Sequence, residues 1–137
     1  MFDNSENYRT DGLGHLSEIV RLVKILDWAR DTDRHQLAEN IEQLIHEMPL
    51  SITVRDGWRE VGKPTEDFPA EFEILLGTGG PAVRIYGELN QHGEPNYCQL
   101  QNQDWGTPWQ AVPIADTPAE VKYQALLDFC RCFYFAD

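Results

Sequence analysis

At residue 50 the hydrophobic period of the chain changes from 3.6 to 2, and this switch constrains the fold more than any other feature. Before it, Leu16, Ile19, Val20, Val23 and Leu26 recur at helical spacing over residues 14–30. Leu22 and Ile25 widen the apolar stripe, so this helix is expected to be covered on more than one side. Asp31-Thr32-Asp33 breaks the pattern and is expected to supply the N-cap of a second helix. Leu37, Ile41, Leu44, Ile45 and Met48 form that helix's apolar face, and Pro49 ends it. The short connection predicts an antiparallel helical hairpin over residues 14–48.

After the switch, side chains alternate. Leu50, Ile52 and Val54 oppose Ser51, Thr53 and Arg55. Phe72, Ile74 and Leu76 oppose Glu71, Glu73 and Leu75. Val83, Ile85, Gly87 and Leu89 oppose Ala82, Arg84, Tyr86 and Glu88. Cys98, Leu100 and Asn102 oppose Tyr97, Gln99, Gln101 and Gln103. Half-buried strands alternate in this way. Gly77-Thr78-Gly79-Gly80-Pro81 and Asn90-Gln91-His92-Gly93-Glu94-Pro95 carry hairpin chemistry between them, while Asp56 to Pro69 is a longer connection. The expectation is a four-stranded antiparallel meander within residues 50–112.

The pattern returns to helical at the end. Thr117-Pro118-Ala119-Glu120 combines an N-cap, a first-turn proline and a capping-box glutamate. Tyr123, Leu126, Leu127 and Cys130 follow on one face, and Phe133-Tyr134-Phe135 reads as an aromatic segment docked on the core. A helix is expected over residues 117–135, with residues 1–12 frayed. The fold class is α+β: a helical hairpin, a four-stranded meander and a C-terminal helix packed on the sheet. The length of 137 residues suits one such domain, whose folding buries roughly two-thirds of its unfolded surface.

Charge narrows the partners. The chain has 23 acidic and 11 basic residues, a net −12. Acidic and basic counts are 10 and 5 for residues 1–49, 9 and 4 for residues 50–112, and 4 and 2 for residues 113–137, so the excess is spread along the chain. Nucleic acids and anionic membranes both require a basic footprint, and neither is expected as a direct partner. No run reaches the roughly 18 apolar residues of a membrane span, and the polar start MFDNSENYRTDG does not read as a secretory signal; a cytoplasmic location is expected. The odd count of three cysteines (Cys98, Cys130 and Cys132) argues against a disulfide framework.

Few motifs carry chemistry. His15, His35, His46 and His92 lack chelating spacing, and no metal or cofactor is expected. The thiols of Cys130 and Cys132 would point about 200° apart on a helix, which disfavours a shared ion. GTGGP at residues 77–81 leads into a strand, not into the helix that a phosphate loop requires. No GxSxG elbow is present, and nothing assembles a recognisable catalytic centre. The most unusual string is QDWGTPW at residues 103–109. Its Trp105 and Trp109 can act as an exposed aromatic anchor with Asp104 orienting a partner group, or can cover a core edge while Asp104 fixes the turn. Glu71, Glu73 and Glu88 are read as steering charges for a partner; alternatively, Arg84 and Glu88, on one side of the same strand, make cross-strand ion pairs with Glu71 or Glu73 of the neighbouring strand.

FEILLGTGGPAVRIYGELNQHGEP, QDWGTPW and LLDFCRCFYF together resemble an uncharacterised family of small acidic proteins encoded by phages and by integrative or plasmid-like elements. The resemblance covers residues 50–137. It implies no catalytic residue. It does imply a setting in which small inhibitors of host defence, of anti-CRISPR or anti-restriction type, are common. The expected function is therefore an acidic protein-binding inhibitor that occludes a basic, nucleic-acid-binding surface of a host complex, through Asp104, Trp105 and Trp109 with Glu71, Glu73 and Glu88. Two other readings are carried: a small-ligand-binding domain or enzyme with a cleft between sheet and helices, and a structural or oligomeric accessory protein.

Overall fold

The change of period marks the boundary between two layers. The computed structural model describes residues 11–63, 69–79, 81–114 and 119–135. Helices α1 (Gly12–Asp31) and α2 (His35–Glu47) come first, followed by strands β1 (Ser51–Arg55), β2 (Glu71–Gly77), β3 (Ala82–Leu89), β4 (Pro95–Gln103) and β5 (Gln110–Ala111), then α3 (Ala119–Cys130). The strands form one antiparallel sheet in sequence order, β1-β2-β3-β4-β5.

The meander thus has five strands and not four. After β4 the chain turns back, and Val112 donates its amide to the Leu100 carbonyl at 2.8 Å. Two residues of strand are too few for alternation to register in a sequence.

One face of the sheet meets the helices. Phe72, Ile74, Val83, Ile85 and Leu100 are buried there with Leu16, Ile19, Leu22 and Leu26 of α1 and Leu126 and Phe129 of α3. Helix α1 packs against both α2 and α3, as its wide apolar stripe requires, and α3 lies against β4. No buried side-chain polar atom among the described residues lacks a partner.

Several local expectations are corrected. Gly12 opens α1 and Asp11 caps it: the Asp11 carboxylate accepts the Gly14 amide at 3.0 Å, whereas residues 1–10 lie outside the described residues. The Gly12 amide donates to Asn102 Oδ1 at 2.8 Å, tying the helix to β4. A Cβ at Gly12 would stand 2.5 Å from Val112 Cγ2, so only glycine permits this approach. The N-cap of α2 is Arg34, without a side-chain cap bond, because Asp33 takes a left-handed φ of 55° to reverse the chain. Helix α3 stops at Cys130, and 3₁₀-type bonds from Cys132 to Phe129 and from Phe133 to Cys130 tighten the exit. Phe135 then packs on Phe72 with ring centroids 4.6 Å apart, while Tyr134 is exposed and not docked. Thr117 and Pro118 of the expected capping box lie outside the described residues.

Strand β1 departs from the half-buried expectation. Only Val54 is partly covered, and Ile52 is 38% exposed; Leu50, just before the strand, is 59% exposed. The reason is position, since among the described residues β1 is an outer strand paired only with β2.

Candidate functional site

Among the described residues no helix covers the sheet's second face, whose side chains are those that the alternation placed opposite the core. Register aligns Arg55, Glu71, Glu88 and Tyr97 in one row and Thr53, Glu73, Tyr86 and Gln99 in the next. Arg84 is the hub. Its Nη1 donates to Glu73 Oε2 at 2.7 Å and its Nε to Gln101 Oε1 at 2.7 Å. The guanidinium lies 4.3 Å from the centroid of Trp109, within cation–π range. Gln101 in turn donates to Gln99 at 2.7 Å, so the amide row of β4 is internally bonded.

A second cluster sits one step along the strands. Arg55 Nε donates to Glu71 Oε1 at 2.8 Å, and the Tyr86 hydroxyl donates to the other carboxylate oxygen. These bonds, Tyr86 first and then Arg55, pull the Glu71 carboxyl below its ordinary range against the opposing effect of burial. The same bond to Glu71, helped by burial, raises the Tyr86 phenol. Thr53, Arg55, Glu71, Glu73, Arg84 and Tyr86 line a shallow groove of about 190 Å³ on this face.

The six residues singled out in the sequence divide among four places. Glu73 and Trp109 meet through Arg84, and Glu71 belongs to the Arg55–Tyr86 cluster. Glu88 is exposed, with no ion pair among the described residues. Asp104 and Trp105 lie apart, on the turn after β4. There the Thr107 amide and hydroxyl both donate to the Asp104 carbonyl, at 3.1 and 3.0 Å, and the Asp104 amide lies 3.1 Å from the same hydroxyl. Gly106 supplies the left-handed φ of 73° that this reversal needs. The turn is fixed by backbone and Thr107, not by the Asp104 carboxylate. Trp105 is 87% exposed, while Trp109 folds back onto Arg84. The two tryptophans therefore do not form one anchor.

Three features escaped the sequence reading. Arg55 is the partner of Glu71, and the β1–β2 register that joins them could be guessed only once β1 was placed beside β2. Trp58 is fully exposed in the connection after β1, at the opposite end of the sheet from Trp105; its signal was an aromatic inside an aperiodic, polar stretch. The third feature is a cleft of about 440 Å³ among the three helices, not between helices and sheet. Asp27 and Arg30 of α1, Glu42 and His46 of α2, and Asp128 of α3 border it with Arg131 and Cys132. Arg30 pairs with Glu42 at 2.6 Å, and His46 Nε2 lies 2.9 Å from the Cys132 carbonyl. Burial, then the nearby Asp128 charge, raises the Asp27 carboxyl. Burial also raises the Cys132 thiol, so this cysteine is no ready thiolate nucleophile. Among the described residues no His, Cys, Asp and Glu side chains group as a metal site, and no helix is long and apolar enough to cross a membrane.

No protein-family model matches the chain, and neither a curated protein sequence nor a solved structure is found to be similar to it.

Proposed function

We propose that the chain is an acidic protein-binding inhibitor from a mobile genetic element, and that it occludes a basic nucleic-acid-binding surface of a host defence complex. The observation that carries the reading is Trp105, 87% exposed on a turn closed by the Asp104–Thr107 bonds. A large exposed aromatic presented on a closed turn gains much on burial in a partner. Net charge supports the choice of partner. Arg21, Arg30, Arg55, Arg84 and Arg131 are each engaged by a carboxylate, so the surface that remains is dominated by surplus acid. Glu71 and Glu73 are neutralised by Arg55 and Arg84, which leaves Glu88 and Asp104 as the steering charges of the original six. The mobile-element setting rests on the resemblance of residues 50–137.

The test is affinity capture from bacterial lysate at low salt with the wild type and Trp105→Ala, followed by competition with DNA or RNA. Capture of a basic nucleic-acid-handling protein, its displacement by nucleic acid, and at least about tenfold weaker binding by Trp105→Ala are expected. A captured partner that binds nucleic acid and this chain simultaneously would refute occlusion. A second reading, a small-ligand-binding domain, draws on the three-helix cleft, whose size is that of ordinary ligand pockets.

A further inference from the structure

The two edges of the sheet are built differently. Strand β5 is two residues long and runs into Val112-Pro113, which blunts that edge. Strand β1 is five residues long and pairs with β2 without a register shift. It contains no lysine and no proline, the usual protections of an outer strand. On its outer side no strand pairs with it among the described residues. From Leu50 to Arg55 there is also no carboxylate, in a chain of net charge −12. A second acidic molecule pairing along this edge meets no acid from the strand itself.

We propose that β1 is a homodimer seam, in which two copies pair edge to edge and antiparallel about a two-fold axis at Thr53. The sequence Ser51-Ile52-Thr53-Val54-Arg55 is self-complementary in that register. Thr53 faces its own copy, Ile52 faces Val54 of the second copy, and Ser51 faces Arg55. β-Branched cross-strand pairs are among the favourable ones. The two Arg55 residues fall four positions apart along the seam, roughly 13 Å at strand rise, beyond the screening length at physiological salt. Residues directly opposite in an antiparallel pair point to the same side, so the open polar faces of both copies join into one surface. The groove lined by Thr53, Arg55, Glu71 and Tyr86 borders the seam. The second copy's Thr53 and Arg55 then continue its wall, and two grooves become one trough across the axis.

Sedimentation velocity and light scattering of the full chain over a hundredfold concentration range test this. A mass rising from 15.8 kDa toward twice that value is expected. The rise should be steeper at about 500 mM salt than at about 50 mM, because like-charged chains are screened. Ile52→Lys should weaken association at least tenfold. Leu13→Lys, which replaces a comparably exposed leucine (40%) on α1, should leave it unchanged, with both variants keeping wild-type circular dichroism. Hydrogen exchange adds a reading that does not depend on mutation: amides within Ser51–Arg55 should gain protection as concentration rises. A mass of 15.8 kDa throughout overturns the proposal, as does equal weakening by both variants. Edge amides already protected at the lowest concentration would mean that this chain covers its own edge, and that also overturns it.

Discussion

Glu71 shows how one side chain on the open face carries a stability that depends on acidity. Its carboxyl is depressed by the Tyr86 hydroxyl and by Arg55. A depressed carboxyl contributes stability that is fully present above its unfolded value near 4.5 and is lost as pH falls through the lower folded value. Urea midpoints should therefore fall between about pH 5 and about pH 3, and Glu71→Gln should flatten that slope by a measurable fraction. An unchanged slope would show that the cluster does not hold together in solution. At this scale the sequence was partly legible. Alternation put Glu73 and Arg84 on one face, and their ion pair followed as the cross-strand reading had it. The Arg84–Trp109 stack did not follow, because it depends on a chain reversal that two residues of β5 do not advertise.

Elements were legible where a period was long and hidden where a single contact sets a boundary. Three helices and four of the strands emerge from periodicity alone. The start of α1 does not, since it rests on the Asp11 cap and on Asn102, ninety positions away. That bond joins the first helix to β4 and leaves a testable trace. Asn102→Ala removes the acceptor for the Gly12 amide and should cost about 1–2 kcal/mol in denaturant unfolding. Asn102→Asp keeps an oxygen at a helix N-terminus and should cost less than half as much. Equal losses would assign the effect to packing against Val112. The exposure of β1 was likewise invisible, because alternation reports two faces and not whether a strand is central or outer.

At the scale of the whole molecule, composition announced the charge but not its distribution. Counting gave 23 acids against 11 bases; only the structure reveals that Arg55 and Arg84 are used on the open sheet face, where they cancel Glu71 and Glu73. Acid therefore outweighs base over the rest of the surface, and the fold repels itself. The melting temperature should rise by about 2–5 °C between about 20 mM and about 300 mM sodium chloride, as screening relieves that repulsion. A fall would mean that the five ion pairs among the described residues outweigh the surplus.

The position of α1 between α2 and α3 has a consequence for how the chain is made. Its apolar stripe is satisfied on one side by a helix that follows directly and on the other by one that a ribosome releases roughly ninety residues later. Throughout that interval Leu16, Ile19 and Leu26 wait without their final cover. The nascent helical hairpin therefore exposes apolar surface during synthesis, and the core closes only once α3 is available to cover it.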